Sequence, residues 1–376
     1  MVGIVQEQHP LRARLFMQWK RMDWPILIDP LNLLDVGVVP ITLLIDEHGI
    51  IRGRAGQGGK QKQVEAFLGE RFEPEAADRP AIAPPDLARP GKPVGEGDAL
   101  DWRRYAEALT LWGGAERLDR AVAAFERAVE LDPEDPRAEF RLGVAYRMRY
   151  DSGGEAADFR RAVEHWSRAR EIDPNNYIWT RRLQQFGPRQ QKPYPFYDWV
   201  ATARAEIESR GDRAVALPVE PSGAELAHPA GDFEASGDSE AEPDPEGRIR
   251  RDPGRFVRLE ATSVPIVVPP SSSARIHVEL APEAERDAHW NNEVGGLVVW
   301  IDPPAGWKID RNRMEVAPPP EPVSGERRRV EFDVLSPDNP ATGARLTGYA
   351  LYYVCEGIKG QCLYRRQDLS VPLRTR

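Results

Sequence analysis

Two cysteines, Cys355 and Cys362, are the only thiols in the 376-residue chain, and six residues separate them. A lone close pair takes one of two forms: a disulfide in an oxidising compartment, or a dithiol that exchanges with other proteins. A strand that reaches Cys355, turns through Gly357 and Gly360 and returns at Cys362 brings the two Cα atoms within bonding range. Closing so short a loop removes only about 2 to 3 kcal/mol of unfolded-chain entropy. The residues alone therefore leave a structural staple and a working redox pair both open. Lys359, Arg365 and Arg366 lie near the pair in sequence, and cationic neighbours favour thiolate, the attacking form. Their more frequent role is solvated loop charge. Tyr349, Tyr352, Tyr353 and Tyr364 either shield the sulfurs or are ordinary strand residues.

Other chemistries find little support. The six histidines, His9, His48, His165, His228, His277 and His289, are scattered without ligand spacing, so no metal is expected. Gly53 to Gln61 lies between a strand and a helix but lacks the P-loop spacing and the hydroxyl residue after Lys60. His289-Trp290-Asn291-Asn292-Glu293 has no nucleophile beside it and reads as a loop with a partly buried Trp. No cofactor is implied. A net charge of -9 offers no cationic surface for nucleic acid. No stretch approaches the roughly 18 apolar residues of a membrane span, and Met1 is not followed by an export signal.

From Phe256 onward, strand-like runs alternate with turn clusters: 257–268, 274–280, 297–301, 330–335, 348–355 and 369–373. This pattern predicts an antiparallel β-sandwich over 253–376. Before it, 212–252 is acidic and nearly free of apolar groups, the composition of a disordered tether. The order Tyr349 to Cys355, a glycine-containing loop, Cys362, Tyr364 and then Val371-Pro372-Leu373 resembles the immunoglobulin-like N-terminal periplasmic domain of DsbD-type thiol:disulfide interchange proteins. That resemblance implies that Cys355 and Cys362 pass electrons to exported partner proteins.

Residues 99–211 repeat themselves. Ala121, Phe125, Ala128 and Pro133 are matched at the same spacing by Ala162, Trp166, Ala169 and Pro174, with Leu142, Gly143 and Tyr146 between them and Leu183 opening a partial further copy. Small alanines let paired helices approach, the aromatic fills the gap and proline ends the second helix. The segment resembles tetratricopeptide repeats, whose groove accepts a peptide or protein; a plain spacer is the alternative. The copies lie 41 residues apart against about 34 in that family, and the excess, from Arg149 to Ala156 around Asp151 to Gly154, predicts a longer loop between the helices of the second repeat, with a frayed or lengthened helix beside it. Phe196 to Ser209 would form a terminal capping helix.

Residues 1–72 alternate strand and helix: Val2 to Val5, a helix opening at Pro10, Trp24 to Asp29, then a hairpin from Val38 to Asp46 and Ile50-Ile51, and a closing helix from Lys60 to Phe72. A proline-rich linker follows over 73–98. The Val39-Pro40-Ile41-Thr42 element and its hairpin resemble the C-terminal portion of the redoxin branch of the thioredoxin superfamily. The resemblance implies a cis bond at Val39–Pro40, where Pro40 shapes the surface that accepts substrate backbone. The family's first strand and CxxC-bearing helix belong before Val2, so this segment lacks its CxxC and is not catalytic alone. A start placed too late accounts for that and for the missing export signal; a relic that only packs is the alternative.

The expectation is therefore a multidomain chain: an incomplete α/β thioredoxin-like segment, α-helical tetratricopeptide hairpins and an antiparallel β-sandwich. It would act outside the cytoplasm in thiol-disulfide exchange through Cys355 and Cys362. A non-catalytic adaptor with a structural disulfide is the alternative.

Overall fold

The structure, a computed structural model, describes residues 1–7, 9–37, 41–56, 58–73, 93, 97–189, 199–222, 233, 241–252, 255–357 and 360–375. Helices dominate its first half and antiparallel sheets its second. The expected Val39–Pro40 bond lies outside these residues; the cis bond among them is Val264–Pro265.

The first 72 residues hold β1 (Gly3–Val5), α1 (Pro10–Lys20), β2 (Ile26–Ile28), β3 (Leu43–Ile45), β4 (Ile51–Arg54) and α2 (Lys60–Gly69). Pro10 occupies the first turn of α1, where its missing N–H costs nothing. The carboxylate of Asp46 accepts from the amides of His48 and Ile50 and closes the β3–β4 turn. β1 pairs in parallel with β2 and β3 antiparallel with β4, and among the described residues the two pairs share no ladder.

Helices α3 (Ala99–Trp112), α4 (Leu118–Leu131), α5 (Pro136–Asp151), α6 (Ala156–Ile172), α7 (Tyr177–Gln185) and α8 (Trp199–Ser209) follow. Side chains of Asp98, Asp135 and Asn176 cap α3, α5 and α7, each accepting a first-turn amide. Ala121, Phe125, Ala128, Ala162, Trp166 and Ala169 are all buried in one core. A Cβ on Gly143 would sit 2.6 Å from Trp166 ring atoms, so glycine is what lets α5 and α6 come this close. The excess between the two repeats lengthens helices: α5 and α6 span 16 and 17 residues against 14 each for α3 and α4, while Ser152–Glu155 make a short loop.

The N-terminal segment packs on these helices. Leu31 is fully buried in the helical core, and Arg141 donates to the carbonyls of Leu31 and Asn32. Leu15 packs with Val200, Ala203 and Ile207 of α8, and Trp19 stacks on Trp199. Both ends of the acidic stretch are packed as well: Val215 and Leu217 against the Leu15 cluster, Ile249 on the β-sheet.

The second half contains β5 (Val257–Val264), β6 (Val267–Val268), β7 (Ser273–Pro282), β8 (Ala288–Asn291), β9 (Leu297–Asp302), β10 (Lys308–Ile309), β11 (Arg313–Val316), β12 (Val323–Ser324), β13 (Arg328–Leu335), β14 (Arg345–Glu356), β15 (Cys362–Pro372) and β16 (Arg374–Thr375). One antiparallel sheet runs β10-β13-β7-β5; the other joins β11, β9, β14, β8 and β12, with β15 on the far side of β14. Short β6 and β16 pair in parallel. Alternation sends Ile276, Val278, Leu280, Phe332 and Val334 from the first sheet, and Trp290, Val299, Ile301, Ala350, Tyr352 and Val354 from the second, into one core.

Candidate functional site

The β14–β15 hairpin builds the site. Inward Leu346, Ala350, Tyr352 and Val354 fix its register by burying in the core, which leaves Tyr349, Leu351, Tyr353 and Cys355 on the outer face. Cys355 stands opposite Cys362 at the open end of the ladder, their Cα atoms are 4.0 Å apart, and a disulfide joins them. Cys355 is 3% exposed and has a strand on either side, β15 at Cys362 and β8 at His289. Cys362 is exposed. Two residues along the same face, the rings of Tyr353 and Tyr364 stack with centroids 4.4 Å apart. They wall one side of the disulfide, and Tyr364 remains 37% exposed.

Farther along, this face is covered. Residues 241–252 lie over it: Ile249 packs with Trp300, Tyr349 and Leu351, and the Asp244 amide donates to the Tyr349 hydroxyl. Asp244 and Asp368 both hold Arg366, whose guanidinium sits 3.6 Å over the Tyr349 ring.

That arrangement changes the expected electrostatics. Arg366 shares the cysteines' face, yet both its carboxylate partners already neutralise it. Arg365 alternates to the opposite face, pairing across the ladder with Tyr352. Lys359 lies outside the described residues, as does Pro40. Among the described residues, therefore, neither Arg365 nor Arg366 provides an uncompensated positive charge to the sulfurs. His289, expected in a loop, is the cross-strand neighbour of Cys355 on β8, and Trp290 beside it is fully buried rather than partly so.

A second polar constellation lies on the other sheet. The outward residues of β7 and β13 are charged and pair directly across the ladder: Arg275 with Asp333, His277 with Glu331, Glu279 with Arg329. Arg275, His277, Glu279 and Asp333 are buried, and Glu331 and Arg329 are partly buried. His277 donates from Nε2 to the Phe186 carbonyl at 2.8 Å and faces Glu331 at 3.1 Å through Nδ1. The Arg189 amide donates to Asp333, Arg327 to the Tyr150 carbonyl, and Arg329 to the Tyr150 hydroxyl. Burial pushes Glu279 up to about 7 and Arg329 down to about 10. Burial would raise Glu331 too, but His277, Arg275 and Arg329 hold it well below the carboxylate range. The sequence signal was the alternation in Ala274–Leu280 and Val330–Val334, which reads as a wet outer face until the charges are matched antiparallel.

Among the described residues no group of His, Cys, Asp and Glu is placed to hold a metal, and no helix is long and apolar enough to cross a membrane. The helical segment has a groove of about 510 Å³ between α3 and α4, lined by Trp102, Tyr105, Arg120, Ala123, Ala124 and Arg127.

No family model and no curated protein matches the chain. Similar solved structures include a FixG-related protein from Vibrio parahaemolyticus, 6% identical over 30% of this chain and 94% of that one, with a TM-score of 0.15. A PapD-like domain of human CEP192 is 8% identical over 38% and 96%, at 0.17. BslA, a bacterial hydrophobin, is 17% identical over 32% and 95%, also at 0.17. Scores this low carry no argument about fold or function.

Proposed function

We propose that this chain is a component of a thiol-disulfide exchange system, passing electrons or disulfides through Cys355 and Cys362 to partner proteins. One observation carries the reading: the disulfide sits at an open sheet end, with Cys362 exposed and Cys355 buried. An incoming thiolate meets Cys362, the mixed disulfide forms there, and Cys355 leaves as the thiolate that later resolves it. The two-sheet module is read as an immunoglobulin-like sandwich similar to the N-terminal domain of DsbD-type proteins, and an extracytoplasmic location follows from that likeness. The first segment is read as the C-terminal half of a redoxin-like domain, with Pro40 as its substrate-facing proline. The helices are read as tetratricopeptide hairpins; burial of the matched alanines and aromatics, and the close approach at Gly143, support this. The test is equilibration of the full chain with glutathione buffers, quenched by alkylation. A potential above about -300 mV supports exchange; a bond that resists reduction below it sinks the reading.

A second reading, a non-catalytic adaptor stapled by the disulfide, is favoured by the cross-strand charges of β7 and β13, which lock helices and sheets together. Here the α3–α4 groove is the working surface. Resistance to glutathione is the result this reading requires.

A further inference from the structure

We propose that the outer edge of β15 beside Cys362 receives an extended, cysteine-bearing segment of a partner protein by main-chain pairing. This rests on the exchange reading above and names how the partner is held.

The direction of the edge groups follows from two observations. The Glu356 amide donates to the Gln361 carbonyl, so the adjoining pair, Cys355 and Cys362, is one whose amides and carbonyls point away from each other; the 4.0 Å Cα separation belongs to such a pair. Four residues along, Arg366 confirms the alternation. Its amide donates outward to the Arg250 carbonyl and its carbonyl accepts from the Asp252 amide, forming a parallel bridge. Cys362 and Tyr364 share that parity, so their amides and carbonyls also point to the outer edge.

At Arg366 the chain fills its own edge. The segment does not continue along β15, because Asp244 accepts from the amides of Arg248 and Ile249 and Ile249 turns onto the sheet face with Tyr349. Among the described residues no backbone group pairs with the outward amides of Cys362 and Tyr364; the Tyr364 carbonyl accepts only the neighbouring Arg365 side chain. An open edge with exposed residues is a template for a further strand. It continues a pairing that the protein itself already makes on this edge.

An added strand places every second side chain on the sulfur-bearing face. Its cysteine beside Cys362 then has an apolar residue two positions away beside the exposed ring of Tyr364. The partner's thiolate attacks Cys362 Sγ and the Cys355–Cys362 bond breaks. A partner–Cys362 disulfide forms, and the electron pair departs on Cys355 Sγ as thiolate.

The test uses the oxidised full chain and two thiols at matched thiolate concentration: glutathione, and the acetylated, amidated pentapeptide Val-Thr-Cys-Thr-Val, whose valines share the cysteine's face. Mixed-disulfide formation is timed by acid quench and mass spectrometry. Expected is a peptide rate on the order of tenfold above glutathione, the worth of one or two backbone hydrogen bonds. Tyr364→Pro removes the outward amide together with the ring, at a place where edge strands tolerate proline, and Tyr364→Ala removes the ring alone; with each variant's peptide rate read as a ratio to its own glutathione rate, Tyr364→Pro should abolish the peptide's advantage. Tyr364→Ala keeps the amide and should keep the advantage. Equal rates for peptide and glutathione, or a Tyr364→Pro chain that still prefers the peptide, overturn edge pairing while leaving thiol exchange standing. A chain that reacts with neither thiol overturns the exchange reading and this proposal with it.

Discussion

The two sheets treat their outer faces in opposite ways. The β7–β13 face carries three cross-strand pairs of ionisable residues, four of the six side chains buried; the β14–β15 face carries tyrosines and sulfur and opens to solvent at Cys362. Polarity therefore does not tell which face is covered. What decides is whether each buried group finds a partner. On the first sheet the ladder register supplies most of the counter-charges and the helices add Phe186 and Tyr150 as acceptors and the Arg189 amide as a donor. On the second, apolar rings are covered only where residues 241–252 bring Ile249 and Asp244 to them.

The sharpest way to break this contrast is Glu331→Ala, which leaves His277, Arg275 and Arg329 without their shared carboxylate. A loss of about 3 to 5 kcal/mol is expected from urea unfolding, as for other broken buried pairs. Removing the disulfide by Cys355→Ser with Cys362→Ser should cost less, about 2 to 3 kcal/mol. A cost near zero in the same assay would mean that the open face owes nothing to its staple.

Acidity sharpens the comparison from the other side. Glu279 has its folded pKa raised to about 7, above the unfolded value near 4.5, so burial favours the protonated form. The stability this contributes is complete below about pH 4.5 and lost as pH rises through 7. Relative to Glu279→Gln, the native chain should lose about 3 kcal/mol across that window. Parallel pH curves for the two proteins would refute the assignment. Smallest is Gly143→Ala: the clash with Trp166 is expected to cost about 1 kcal/mol net, the gain in helix propensity offsetting part of the strain. Thermal unfolding reads it.

Much of the architecture was legible because it depends on local periodicity. Ala121, Phe125 and Ala128 face one way on any helix, and the Leu346-to-Val354 alternation leaves few registers for β14. The position of Cys355 opposite Cys362 followed from glycines in a short loop. Other features depend on matches between distant residues. Nothing near Leu31 announces that Arg141 will bind its carbonyl, and the charges of β7 read as solvated until β13 is laid beside them. The same holds for Arg366: near the cysteines in sequence it looks like a cation for thiolate, whereas Asp244, distant in sequence, has already claimed it.

The packing of Leu15, Phe16 and Trp19 against α8 has a consequence for synthesis. Their partners, Val200, Ala203, Ile207 and Trp199, are translated long after them. On the ribosome this aromatic and aliphatic surface stays uncovered while α3 to α7 emerge and pair locally, and it closes only once residue 209 has cleared the exit tunnel. A nascent chain stalled before α8 is thus the form most open to chaperone capture.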